Sequence, residues 1–492
     1  MTSGRETTLE RLTTGSAPLD EILGGGLPFL STTMVAGEPG AGKTLFALQL
    51  LFHQARLGRR GLYLTTLSEP APKLLRYMQQ FSFFDQEALG RLVTFADLGS
   101  VVRGRSAEDA LQVIGERVER EEPAVVVIDS FKALRDFFHD TGSYRTFVYD
   151  LAVHLAGWGA STLLVGEYEA ADLVTLPEFA VADGILRFGS ERDELTSVRV
   201  FEALKLRGAA LVSGRHFFEI GPGGLTFYPR VRSPDARGDG PAGAIASFGE
   251  RASTGLPGLD EMLGGGLPRS SSTVVQGATG TGKTVLGLHF LMEGARRGEP
   301  AVHFTLEETA DQLRGIARGF GWDLAELERR GLFTFSYTSP VELSTDAYLE
   351  RARQQVVQLG ARRAVLDSLT SMQLGVASQR RFKELVYAMT KHFRALGVTF
   401  NLNMEVAELL GSAQLSGHGV SFAADNVIQL RYVEQGGRLD RGVSVLKARG
   451  VRHATDVRRL AVTERGAEVG APFEGLRGVL TGLPTPLAAG PT

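Results

Sequence analysis

The sequence predicts an α/β protein of two tandem domains, each a mainly parallel sheet flanked by helices. Three observations carry this. Two segments, Gly37 to Thr44 and Gly277 to Thr284, read G-x-x-x-x-G-K-[ST]. Matching residues recur about 240 positions apart along the chain. Short apolar runs alternate with stretches of helical period, the pattern of buried parallel strands joined by helices.

Each motif has the flanks of a phosphate-binding loop. An apolar strand enters and a helix leaves, with Leu45, Leu48 and Phe52 on one helical face. Gly37, Gly40, Ala41 and Gly42 in the first loop, and Gly277, Thr279, Gly280, Thr281 and Gly282 in the second, let successive backbone N–H groups turn towards an anion at the positive end of the helix. Lys43 and Lys283 would reach the β- and γ-phosphates, and Thr44 and Thr284 would hold Mg²⁺. ATP and Mg²⁺ are the expected cofactors.

The run Thr14-Gly15 through Gly24-Gly25-Gly26-Leu27-Pro28 returns as Thr254-Gly255 through Gly264-Gly265-Gly266-Leu267-Pro268, a spacing of 240 that the loop lysines keep and that narrows to 238 at Asp129 and Asp367. This is a domain duplication rather than a short solenoid repeat. Between the copies, Ser233 to Gly243 is too poor in large apolar residues to pack. The expected divisions are a first domain over 1–232, a linker over 233–246, a second domain over 247–473 and a short tail over 474–492. Buried strands are expected at Gly61 to Thr66, Ala124 to Ile128 and Thr162 to Val165, and again at Ala301 to Leu306, Ala364 to Leu366 and Val398 to Leu402. The later stretches Val198 to Leu206 and Val443 to Ala448 are candidates for antiparallel strands.

Phosphoryl transfer needs charge neutralisation, an oriented nucleophile and usually a carboxylate beside it. Asp129 and Asp367 each close an apolar strand, where a carboxylate reaches the loop's Mg²⁺ shell, directly or through water. Glu307 and Glu308 follow the strand Ala301 to Leu306, and Glu307 is the expected general base. The first copy has Ser68 and Glu69 there, so the copies differ in chemistry. Lys205 and Arg207, echoed by Lys447 and Arg449, suit phosphate or solvent equally.

Composition narrows the classes. A formal net charge of −3 recruits neither nucleic acid nor anionic lipid by bulk charge. Clusters such as Arg59-Arg60 and Arg380-Arg381 are short, as solvated faces are. Zero cysteines exclude disulfides and thiolate metal sites, and the nine histidines lack metal-ligand spacing. With neither a signal peptide at Met1 to Glu6 nor an apolar run long enough to span a bilayer, a cytoplasmic protein is expected.

The duplicated Thr-Gly-x-x-x-Leu-Asp lead-in, the loop, the Glu-Glu strand end, the Asp strand and the Lys-x-Arg-Gly echo resemble, over residues 10 to 485, the two-domain KaiC proteins of the RecA-like ATPases. The resemblance implies two RecA-like domains and a double-ring homohexamer with ATP between neighbouring subunits. Lys205, Arg207, Lys447 and Arg449 would then reach the neighbour's nucleotide, and the ring would signal to a protein partner. It also makes Ser421 the counterpart of the first of two adjacent phosphoacceptors, while Phe422 replaces the second. Ser68 departs from the family's paired glutamates, and the C-terminal segment stops at Thr492 without a long extension, which weighs against a clock role. DNA motors share the fold and would be marked by salt-dependent DNA binding. A nucleotide-gated scaffold would bind ATP without turnover.

Overall fold

The structure, a computed structural model, describes all residues except 1–8, 67–70, 100–106, 139, 194–195, 231, 233–248, 377, 407–422, 436, 475, 480–483 and 487–492. The chain divides into two compact units, Met1–Arg230 and Val231–Thr492. Ser68, Glu69, Ser421 and the whole of the expected linker lie outside the described residues.

The first unit is built on β1 (Thr32–Gly37), α1 (Lys43–Arg56), β2 (Gly61–Thr65), β3 (Val93–Asp97), α2 (Ala107–Glu121), β4 (Val125–Asp129), α3 (Thr141–Gly157), β5 (Ser161–Glu167), β6 (Gly184–Asp193), β7 (Thr196–Leu206), β8 (His216–Gly221) and β9 (Gly224–Tyr228). They form one sheet in the order β3-β2-β4-β5-β1-β6-β7-β8-β9. Neighbours are parallel from β3 to β6 and antiparallel from β6 to β9.

The strands read as continuous apolar runs because both sheet faces are covered. Side chains alternate across a strand. Val125 and Val127 therefore join Leu48 and Phe52 of α1 in one layer. Val126 and Ile128 join Ile114 of α2 and Phe147 of α3 in the other. At roughly 25 cal/mol per Å² of apolar area removed from water, these two layers supply the main favourable term.

The second unit repeats the design with β10 (Ser272–Gly277), α4 (Lys283–Arg296), β11 (Ala301–Thr305), β12 (Phe333–Tyr337), α5 (Thr345–Leu359), β13 (Arg363–Asp367), α6 (Leu369–Leu374), α7 (Gln379–Ala395), β14 (Thr399–Glu405), β15 (Asn426–Gln435), β16 (Arg438–Ala448), β17 (Arg458–Thr463) and β18 (Gly466–Pro472). The order β12-β11-β13-β14-β10-β15-β16-β17-β18 matches the first sheet strand for strand. Both later stretches named from sequence are antiparallel strands, β7 and β16. Among the described residues no helix is long and apolar enough to cross a membrane.

The Thr-Gly-x-x-x-Leu-Asp lead-in is structural. Asp20 Oδ1 accepts from the backbone N and Oγ1 of Thr14, both at 2.8 Å. Asp260 Oδ1 accepts the same pair from Thr254 at 2.7 Å.

Candidate functional site

Each loop leaves the C-terminal end of the strand at the centre of its sheet and turns into the long helix. Gly42 and Gly282 precede α1 and α4 in the left-handed region, with φ of 94° and 104°. A side chain is strained there, which is why glycine stands before each lysine. Gly37 is required for another reason, since a Cβ on it would lie 1.9 Å from Phe188 O.

The lysines fold back along their own loops. Lys43 Nζ donates to Glu38 O at 2.6 Å, and Lys283 Nζ donates to Gly277 O and Ala278 O at 2.9 Å. Both are buried, and burial lowers their pKa from the usual lysine value. Thr44 Oγ1 donates to Asp129 Oδ2 at 2.7 Å, and Thr284 Oγ1 donates to Asp367 Oδ2 at 2.8 Å. Burial raises the pKa of both aspartates. Both aspartates are followed by a cis peptide bond. In the first unit the loop, Asp129 and Tyr168 line a cavity of about 1180 Å³.

Glu307 and Glu308 sit in the turn after β11. Glu307 is exposed, and its Oε1 accepts from Ser368 Oγ at 2.6 Å and from Ser371 Oγ. Glu308 is half-buried, and its Oε2 is buried without a hydrogen-bond partner among the described residues. Burial, then the nearby Asp367 carboxylate, raises the pKa of Glu308.

The Lys-x-Arg-Gly echo is not brought to the loop of its own unit. Lys205 Nζ donates to Ala182 O at 2.6 Å, and Arg207 pairs with Asp183 at 3.1 Å. Lys447 Nζ donates to Ala424 O at 2.7 Å, and Arg449 faces Asp425 at 3.7 Å. Leu206 is in register with Gly184, which pairs with Thr33 at the start of β1. Gly37 lies four residues further along that strand, about 13 Å at ~3.3 Å per residue.

The sheet register adds a pair that sequence reasoning missed. Glu167 is opposite Gly37 and Glu405 opposite Gly277, so a carboxylate from the neighbouring strand stands beside each loop and favours the charged form of its lysine. Their spacing of 238, the same as that of the two aspartates, was the available signal. Tyr63 was also missed. Its hydroxyl donates to Asp129 Oδ2 at 2.6 Å, whereas His303 occupies the matching register on β11.

A KaiC ATPase family profile matches residues 12–232 and 252–474, nearly the whole of both units. The chain belongs to the KaiC ATPase family. The circadian clock oscillator protein KaiC of Thermostichus vulcanus is 31% identical over 481 residues, covering 95% of this chain and 90% of that protein. The circadian clock protein KaiC3 of Synechocystis sp. is 29% identical over 496 residues, covering 97% and 95%. The two nine-stranded sheets are thus the tandem RecA-like domains of a KaiC-type chain.

The residues fit the cofactors that the family implies. Two glycine cradles, each with a buried lysine, suit a polyphosphate. Among the described residues no group of three or more acidic or histidine side chains could hold a metal alone. Thr44 with Asp129 and Thr284 with Asp367 would be the residues to hold a cation that accompanies the nucleotide.

Proposed function

We propose that this KaiC-type chain binds ATP with Mg²⁺ in both units and hydrolyses it mainly in the second. The observation that carries this is the constellation Lys283, Thr284–Asp367 and Glu307–Glu308 around one loop, with both glutamates present only in that copy. Bound ATP with Mg²⁺ would supply the reactive phosphoryl group and neutralise its charge. The glycine loop and Lys283 orient the phosphates. Thr284 and Asp367 hold the cation side. Glu307 Oε2 takes a proton from water as the water oxygen bonds to phosphorus and the bond to the bridging oxygen breaks; the proton leaves with the products.

The same glutamate can deprotonate a hydroxyl, and Ser421 is the acceptor we assign to that reaction on its alignment with the family's first acceptor. Lys205, Arg207, Lys447 and Arg449 complete the neighbour's site in a double-ring homohexamer whose nucleotide state is read by a signalling protein. Their position at the far end of the central strand from their own loops supports this.

Phosphate release by the full chain tests the assignment. Glu307→Gln should lower turnover far more than Glu69→Gln while ATP binding persists; equal losses would refute it. In the same incubation Ser421 should gain one phosphate by mass spectrometry, absent in Glu307→Gln. Phosphate only elsewhere, or none, would leave an ATPase without this acceptor.

A further inference from the structure

Two hydroxyls converge on one oxygen of Glu307. Ser368 caps α6, its Oγ accepting from Ser371 N at 3.3 Å, and the same Oγ donates to Glu307 Oε1 at 2.6 Å. Ser371, one turn on, donates from Oγ to the same Oε1, and the two hydroxyls lie 3.2 Å apart. Both serines are buried, at 2% and 7% exposure, while the glutamate they hold is exposed. An exposed glutamate ordinarily keeps its rotamer freedom, so two hydrogen bonds from a buried helix start fix a side chain that would otherwise sample many positions.

The first copy supplies an internal control. At the spacing of 238, Ser368 corresponds to Ser130 but Ser371 corresponds to Ala133. At the end of the earlier strand the spacing is 239, which sets Ser68 against Glu307 and Glu69 against Glu308. The serine after the strand-end aspartate is thus common to both copies, although only Ser368 caps a helix. The second hydroxyl occurs only in the copy that carries the Glu-Glu pair. Ser130 in the first unit is engaged differently, its backbone N donating to Thr66 Oγ1 at 2.9 Å.

We propose that Ser371 is a positioning residue which, with Ser368, anchors Glu307 through Oε1 and leaves Oε2 to accept the proton. Both hydroxyls donate to the same oxygen, so among the described residues the hydrogen bonds to this carboxylate fall on Oε1, and its plane is set by the start of α6 rather than by solvent. This rests on Glu307 acting as the base, and the test separates the two claims.

Turnover is first compared among four full-length proteins, the parent, Ser371→Ala, Glu307→Gln and the double variant; Ser371→Thr and a Glu307→Ala background serve as further controls. Ser371→Ala should lower kcat on the order of tenfold, the scale on which misplacing a reacting group acts, with KM for ATP unchanged. Ser371→Thr should restore most of it. In the Glu307→Gln background the alanine change should have no further effect. A nucleotide-free measurement runs alongside: Ser371→Ala should lower the urea midpoint of the second unit, and that shift should vanish when Glu307 is already Ala. If Glu307→Gln leaves turnover intact, the base assignment fails and the inference with it. If Glu307→Gln slows turnover but Ser371→Ala does not, or acts equally in both backgrounds, or changes KM alone, only the positioning role is overturned.

Discussion

Thr284 Oγ1 and Asp367 Oδ2 lie 2.8 Å apart, joining the first turn of α4 to the end of β13 across 83 residues of sequence. The contact sets one hydroxyl and one carboxylate edge to edge beside the loop, where a cation shared with phosphate would sit. Asp367→Asn keeps the shape but removes the charge. It should weaken Mg²⁺-dependent ATP binding by about 10- to 100-fold, the range for lost partners around a metal. Calorimetry with Mg²⁺ and with chelator checks this; an equal loss in both would show that the aspartate does not act through the cation.

A second prediction concerns stability. Arg363 is 1% exposed, donates from Nε to Glu299 Oε2 at 2.6 Å, and stacks over Phe290 at 4.7 Å. Val125 takes the corresponding place in the first unit, so the ion pair is not required by the fold. Glu299→Ala would strand a buried guanidinium and should cost about 3–5 kcal/mol, whereas removing the charge with Arg363→Met should cost less. Urea unfolding of the second unit checks the order, which a larger loss in Arg363→Met would reverse.

Most of the sheet was legible because its parallel strands are buried on both faces and read as apolar runs. Gly61–Thr65 and Ala301–Thr305 are buried throughout. The edge strands were not foreseen for the converse reason. Val93–Asp97 and Phe333–Tyr337 each bury only their first residue, so their sequences carry little apolar signal. At the site, residues contiguous with the loops could be named from sequence. Glu167, Glu405 and Tyr63 reach the loops or Asp129 only through sheet register, which one strand's sequence does not contain.

The pH dependence of the second unit should differ from that of the first. His303 is fully buried, neither ring nitrogen has a partner among the described residues, and burial lowers its pKa to about 4 from 6.5. The unfolded chain therefore binds a proton that the folded chain refuses between those values. Stability from the neutral ring is complete above pH 6.5 and is lost as pH falls towards 4, a contribution of about 3 kcal/mol at 1.36 kcal/mol per unit. His303→Tyr, which copies Tyr63, should flatten the fall in urea midpoint between pH 7 and pH 5. An unchanged slope would assign the acid sensitivity elsewhere, with His289 next to examine, since burial lowers it to about 4 as well.

The last prediction follows from the distance between the cations and their own loops. Lys447 and Arg449 lie where β16 meets the start of β15, next to the beginning of β10, while the second loop leaves β10 at its other end. Cations that serve a nucleotide from there serve one outside their own unit, which the proposed function assigns to another copy of the chain. Nucleotide would then bind the assembled form more tightly than the monomer and shift the equilibrium towards it by that difference in affinity. Light scattering should accordingly show a larger mass with ATP and Mg²⁺ than without. Joint Lys43→Ala and Lys283→Ala changes should abolish the increase by removing the phosphate contacts. Joint Lys447→Ala and Arg449→Ala changes should leave nucleotide binding to dilute monomer intact but reduce both assembly and turnover. A monomer under all conditions would refute the shared site. So would assembly indifferent to the loop lysines, or a loss of monomer affinity on removing Lys447 and Arg449, which would return those cations to their own nucleotide.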